Sequence, residues 1–304
     1  MAEIEASPLK RLFFVDDNLT INRQFAREFL PRLKGRGYSW ISQVSIDIAK
    51  DPELLGLMAE SGCDSILIGF ESVNQESLAE THKHQNLKVD YEQAIRAVHD
   101  AGIHLLASFV VGFDHDTRKA FDDIYELSMR AFMPYVTINI LGCSPGTDLD
   151  KRLVAEGRLI PNIPSYFRGG MFPVVRYRQM SGTEMFGALI DTAEKLFSFE
   201  TAYHKGMGLF SRGTFSRSSA GAGVGVMEKL RISLLLVRLY LFSADPWKRK
   251  LIVGLFRLFR RKKVAVERVV TFLLSMEGFH RYIEYLKTRK SELVGKISAV
   301  ESQP

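Results

Sequence analysis

The feature that most restricts this chain is a recurring unit: a short apolar run ends in a polar or glycine-rich tip, and a helical pattern follows. Leu12-Phe-Phe-Val15 runs into Asp16-Asp17-Asn18, and Thr20 leads to a helical stretch from Asn22 to Leu33. The run Ser65 to Gly69 ends in Phe70-Glu71-Ser72, and Ser108 to Val111 ends in Gly112-Phe113-Asp114. Val136 to Leu141 ends in Gly142-Cys143-Ser144-Pro145-Gly146-Thr147. Strands that hand polar groups to one rim build the ligand sites of α/β scaffolds, so function is expected at that rim.

Strands are predicted near 11–16, 39–46, 64–70, 103–111 and 134–141, each followed by helical periodicity. Pro52 to Ser61 has Pro at its first position, Asp51 as a cap and Gly62 just past the end. Tyr91 to Ala101 stops at Gly102, and Asp116 to Ala131 aligns Phe121, Ile124, Tyr125 and Met129 on one face. The expected fold class is α/β: a partial (β/α) TIM-type barrel of about five βα units with a C-terminal helical extension. The expected organisation is a barrel over 1–160, a connecting segment and linker over 161–225, and a basic helical extension over 226–304. Within the middle part, Gly, Ser and Ala crowd between Lys205 and Gly225, a composition that suits a linker.

A chain of 304 residues with 46% hydrophobic and 25% charged side chains has ample material for a full core, which excludes general disorder. The acidic start Met1-Ala-Glu-Ile-Glu-Ala lacks the basic and apolar regions of a signal peptide, so a cytoplasmic location is expected. Only Cys63 and Cys143 are present, in different βα units, which argues against a disulfide framework or a self-contained cysteine metal site. Both read as small buried residues. His82, His84, His99, His104 and His115 form no ligand spacing and are expected on the surface or in loops.

Taken in order, Phe13-Phe-Val-Asp-Asp-Asn18, Trp40-Ile-Ser-Gln-Val-Ser45, Ile68-Gly-Phe-Glu-Ser72, Phe109-Val-Val-Gly-Phe-Asp114 and Pro145-Gly-Thr-Asp-Leu149 resemble the barrel of radical SAM enzymes. The resemblance is strongest to the cobalamin-binding branch that includes hopanoid and bacteriochlorophyll biosynthesis enzymes, and covers roughly residues 10–160. It implies S-adenosylmethionine (SAM) as cofactor, with Asp16, Asp17 and Asn18 at the family's second-strand position facing the methionine amino group. A carboxylate suits an ammonium there. It places Glu71 and Ser72 near the ribose or methionine end, Val111, Gly112 and Phe113 along the adenine, and Leu141 with Gly142 on its other side. Gln43 and Ser45 point to the same mouth. Read without the resemblance, Asp16-Asp17-Asn18 is a helix cap, Glu71 a structural carboxylate, and the glycines ordinary turn residues.

The family also implies a [4Fe-4S] cluster held by Cys-x3-Cys-x2-Cys, reductive SAM cleavage, hydrogen abstraction from an unactivated carbon and, in this branch, C-methylation through cobalamin. No such cysteine motif occurs in the chain, which opens at what matches the family's second strand. The expectation is therefore a C-terminal portion of such an enzyme, from a truncated gene or a mis-assigned start, inactive alone, with cluster and cobalamin only in the full-length parent. The alternative is a cluster-free degenerate barrel that binds SAM, a lipid or a partner subunit. An open sheet edge in an accidental fragment predicts poor solubility.

From Val226 onward 17 Lys and Arg face 7 Asp and Glu, so the remainder is net acidic against a total charge of +6. Leu230 to Phe242 and Leu251 to Phe259 are apolar runs broken by Arg231, Arg238 and Arg257, too short and charged to span a bilayer of about 30 Å. Leu251 to Lys263 pairs an apolar face with a cationic end, as helices lying on anionic membranes do. The expected partners are a small-molecule or lipid-like substrate and, through 226–304, the periphery of the inner membrane; a solvated helical subdomain is the simpler reading. Nucleic acid is not expected, because the aromatic spacing is that of a core.

Overall fold

The computed structural model of the chain describes residues 1–80, 86, 89–160, 172–215 and 226–302. Five strands form one parallel sheet in sequential order: β1 (Arg11–Phe14), β2 (Ser39–Gln43), β3 (Cys63–Glu71), β4 (His104–Val111) and β5 (Tyr135–Ile140). Helices α2 (Arg23–Phe29), α3 (Pro52–Glu60), α5 (Tyr91–Asp100) and α6 (Lys119–Arg130) occupy the crossovers that parallel neighbours require. A short α1 (Ala2–Ala6) precedes β1, and α4 (Gln75–Glu80) follows β3. The sequential order and one-sided crossovers make a partial barrel whose outer sheet face carries the helices.

Strand parity separates the two faces. Trp40, Ile66, Ile68, Phe70, Leu105, Ala107, Phe109, Val111 and Ile138 are buried against the helical layer. Their neighbours Ile41, Gln43, Leu67, Gly69, Leu106, Ser108, Val110, Thr137 and Asn139 remain accessible on the concave face. The helices start where local chemistry satisfies their first N–H groups: Asn22, Asp51 and Asp90 accept from Phe25, Leu54 and Gln93. The strand predicted over 39–46 stops at Gln43, because Ile46–Lys50 wind into a 3-10 turn that buries Ile46 and Ile48.

The remaining helices are α7 (Asp148–Ala155), α8 (Gly182–Leu196), α9 (Phe199–Ser211), α10 (Val226–Leu241), α11 (Pro246–Arg260), α12 (Val266–Thr288) and α13 (Lys290–Glu301). Helix α8 opens with a capping box between Ser181 and Glu184. The linker predicted from Lys205 begins instead inside α9, and residues 216–225 lie outside the described residues. Here the glycines serve close packing rather than flexibility: a Cβ on Gly208 would fall 2.3 Å from the Phe132 ring. Ile283, Leu286, Leu293 and Ile297 of α12 and α13 share the barrel's core, while α9 to α12 enclose a second one around Phe210, Tyr240 and Phe272.

Candidate functional site at the rim of the barrel

The C-terminal ends of the strands meet at one rim. At the β1 tip Asp16 and Asp17 are exposed. Asn18 is committed to structure: its Nδ2 donates to Ser45 Oγ at 2.8 Å and its Oδ1 accepts from the Thr20 N–H and hydroxyl. That clamp, with Leu19 N donating to the Gln43 carbonyl at 3.1 Å, fixes the β1 loop to the β2 tip. Helix α2 is capped by Asn22, so neither Asp16 nor Asp17 is spent on a cap.

At the β3 tip the ladder to β4 slips between Gly69 and Glu71, and Glu71 adopts φ +64°, a region a non-glycine residue enters at a cost. The surroundings hold it there. Asn86 donates to the carbonyls of Gly69 (3.1 Å) and Phe70 (3.0 Å), and the Tyr91 hydroxyl bridges the carbonyls of Phe70 and Ser72 at 3.1 Å each. Burial first, then the Glu71 charge, raises the Tyr91 pKa, which keeps it a neutral donor. Ser72 is buried and its hydroxyl accepts from Asn74 N at 3.0 Å, so it shapes the loop.

The β4 tip turns at Gly112, φ +109°. Buried Asp116 accepts from the N–H groups of Gly112 (2.9 Å) and Phe113 (3.1 Å) and from the Ser77 hydroxyl (2.6 Å). The side chains of Val111 and Phe113 are buried; Val110, one residue earlier, faces the lumen. At the β5 tip Leu141 N donates to the Val111 carbonyl at 2.7 Å, and the Leu141 carbonyl accepts from the Tyr177 hydroxyl at 2.8 Å. The Tyr177 ring covers Gly112, where a Cβ would sit 2.8 Å from it. Gly142 lies partly accessible beside this contact.

Between the tips, Gln43, Ser108, Thr137 and Asn139 line the accessible concave face, with Asn139 Nδ2 donating to Ser108 Oγ at 3.3 Å. Ser108, Thr137 and Asn139 are additional to the residues singled out from sequence. Stepping back by two from Leu141 and Val110 along the strands reaches them, so parity was the available signal. Toward the strand starts, at the end away from the rim, a cavity of about 340 Å³ is lined by Ile41, Leu67, Leu106 and Phe279 together with the polar Arg11, Asp64, Ser65, His104 and Ser275.

The residues present do not fit an iron–sulfur cluster. Cys63 starts β3 at the opposite end from the rim, and burial pushes its thiol pKa up. Cys143 is buried with its Sγ 3.7 Å from Asp150 Oδ1. No group of three metal-ligating side chains occurs among the described residues. His99 and His104 are buried rather than superficial, the former held neutral with its pKa pushed down to about 3, chiefly by burial. His82 and His84 lie outside the described residues. SAM is a different case: the exposed carboxylates of Asp16 and Asp17, with the amides of Gln43 and Asn139 and the Ser108 hydroxyl along the same sheet, are the donor and acceptor types an amino-acid headgroup takes.

Residues 1–128 match the family model of the radical SAM superfamily. The hopanoid C-2 methylase of Rhodopseudomonas palustris (strain TIE-1) is 32% identical over 163 residues, 52% of this chain and 31% of that protein. The bacteriochlorophyllide d C-12(1)-methyltransferase of Chlorobaculum tepidum is 31% identical over 137 residues, 45% of this chain and 30% of that protein. The matched segments span about a third of those relatives' lengths. Among solved structures, the radical S-adenosylmethionine methyltransferase TsrM from Kitasatospora setae, with cobalamin and a [4Fe-4S] cluster bound, superposes with a TM-score of 0.51. It is 14% identical, and the match covers 84% of this chain and 52% of that one, which establishes the shared fold.

Proposed function

We propose that this chain is the C-terminal barrel portion of a cobalamin-branch radical SAM enzyme, with SAM held at the rim and an apolar small molecule or lipid in the lumen. The parent reaction is C-methylation of that substrate, in keeping with the names of the related methylase and methyltransferase. The observation that carries the reading is the acidic rim: Asp16 and Asp17 stand exposed at the β1 tip, which the Asn18–Ser45 hydrogen bond fixes to the β2 tip, and Glu71 is held at φ +64° at the β3 tip by Asn86 and Tyr91. Asp16 and Asp17 add negative charge for an ammonium, and Gln43, Ser108 and Asn139 offer hydrogen bonds. The turn Val111-Gly112-Phe113 and the Leu141-Gly142 backbone flank the place the resemblance gives to adenine. The lumen cavity, with apolar walls of Ile41, Leu67, Leu106 and Phe279 and a polar end at Arg11 and Asp64, suits a small or lipid-like substrate.

The cluster thiolates must come from polypeptide outside these 304 residues, so the chain alone binds SAM without cleaving it. The helices from 226 onward serve as a peripheral membrane contact; none of the described helices is long and apolar enough to cross one. A second reading, a cluster-free binding barrel, is favoured by Tyr177, whose ring and hydroxyl already occupy Gly112 and the Leu141 carbonyl.

Equilibrium dialysis with labelled SAM tests the rim as the SAM site. Retention by the wild-type chain, weakened about tenfold in Glu71→Gln or Asp17→Asn by loss of one charge-assisted contact, supports that assignment. No retention by wild type, or equal retention by all three, overturns it.

A further inference from the structure

Helices α10, α11 and α12 leave an open groove of about 420 Å³ whose lining is Leu, Val, Ile and Phe alone. Leu236, Leu241, Ile252, Phe256, Phe259 and Val270 form its walls. Phe256 is 58% exposed at its lip, and neighbouring Phe242 is 78% exposed. A monomer does not ordinarily leave such a patch to water. Its volume matches a ligand-sized cleft, within about 300–1,000 Å³.

The surrounding charge says what covers it. Arg257, Arg260, Arg261, Lys262 and Lys263 follow the Phe256 and Phe259 lip within seven residues, all exposed, and none has an ion pair among the described residues. Two cations at the start of the same helix are engaged instead: Lys248 pairs with Glu277 at 2.7 Å, and Arg249 donates to the Ser243 carbonyl. A folded protein partner would need a dense acidic surface bordering an apolar ridge, and a nucleic acid would waste the apolar floor. An anionic phospholipid has both parts in the right order, an apolar chain and a phosphate at its end.

We propose that this groove seats an acyl chain of an anionic phospholipid at a bilayer surface, with the headgroup phosphate on the Arg257 to Lys263 cluster. The inference deepens the peripheral membrane contact proposed above and depends on neither SAM nor a cluster. It also gives that contact a defined depth. Phe256 and Phe259 enter the acyl region while the cations stay at headgroup level, so α11 lies along the membrane with its buried Leu251 and Leu255 facing the protein.

The test uses the full chain with phosphatidylglycerol/phosphatidylcholine vesicles and with pure phosphatidylcholine vesicles, each at low and high salt. Strong sedimentation is expected only with the anionic vesicles at low salt, and the Arg260→Glu/Arg261→Glu variant should lose at least about tenfold in partitioning. Phe256→Ser/Phe259→Ser should lose a comparable factor, with circular dichroism confirming both variants folded. In Phe256→Trp, phospholipid with brominated acyl chains should quench more fluorescence than in the unaltered chain, which reports insertion rather than surface adsorption. Equal binding to neutral vesicles, no vesicle binding, or absent extra quenching would overturn the proposal. So would a concentration-dependent dimer abolished by Phe256→Ser, since a second copy would then be the occupant. SAM dialysis on the same preparations is expected to be unchanged, which separates failure here from failure of the rim assignment.

Discussion

At the scale of single residues, two side chains sit where folding alone would not put them. Glu71 holds φ +64°, a conformation costing about 1–2 kcal/mol for a side chain with a Cβ. Glu71→Gly should therefore raise the urea midpoint by the equivalent of about 1 kcal/mol while weakening SAM retention. A loss of stability instead would mean that the carboxylate's local contacts outweigh the strain and that its position serves the loop. Lys205 is 1% exposed, with no hydrogen-bond partner for its Nζ among the described residues, and burial pushes its pKa down from 10.5 to about 7. The sign follows from proton counts. Between about pH 7 and 10.5 the unfolded chain binds a proton that the folded chain does not, so stability rises with pH across that window. Below pH 7 both states are protonated and the slope vanishes. Lys205→Met keeps the volume and removes the charge, so it should stabilise the chain at neutral pH by about 2–4 kcal/mol and abolish the slope. Thermal melts across that range would check both; an unchanged slope would mean the ammonium finds water in the folded state.

At the scale of elements, α12 is the plug of the barrel. Arg268, 6% exposed, reaches the Asp64 carboxylate at the entrance of β3 and lies 5.7 Å over the Phe215 ring. Breaking one side of a buried pair leaves the other charge stranded, so Arg268→Met should cost about 3–5 kcal/mol, with part recovered in Arg268→Met/Asp64→Asn. Hydrogen exchange in α12 should accelerate in the single variant; unchanged protection would mean the plug is held by Phe272 and Met276 alone. This contact spans 204 residues, and no local pattern announces it. What was legible in the sequence was local: apolar alternation located all five strands, and Asp51 and Gly62 bracketed α3. The β2 boundary was overrun because Val44, Ile46 and Ile48 keep an apolar character through a 3-10 turn. The α9 boundary was missed because Gly206 and Gly208 look like linker residues until Phe272 and Phe132 arrive against them from distant elements. At the rim, the tips were readable from their polarity and the lumen positions Ser108 and Asn139 from parity. Tyr177 was not, since it meets Leu141 from 36 positions further along the chain, through a segment with no repeat of its own.

At the scale of the molecule, apolar surface is exposed in two places of opposite character. The groove of α10 to α12 is ringed by cations in a segment with 17 basic and 7 acidic residues, which opposes its burial against a copy of itself. The β1 edge has no such protection. It is the outermost strand of a parallel sheet, with Phe13 69% and Val15 80% exposed and Leu9, just before it, 65% exposed. Unpaired backbone beside exposed aromatic and β-branched side chains is a template for pairing with another strand. The isolated chain should therefore self-associate through β1. Phe13→Lys/Val15→Lys should restore a monomer at concentrations where wild type forms dimers or larger species by size-exclusion chromatography with light scattering. Both side chains point away from the core, so the double variant should melt within about 0.5 kcal/mol of wild type. The two surfaces then separate cleanly. High salt should leave β1 association intact or strengthen it, because it is apolar and hydrogen-bonded, whereas it should release the cation-dependent contact of the groove. Association that instead disappears in high salt, or survives both lysines, would place the contact elsewhere and make β1 a tolerated edge rather than a site awaiting a strand.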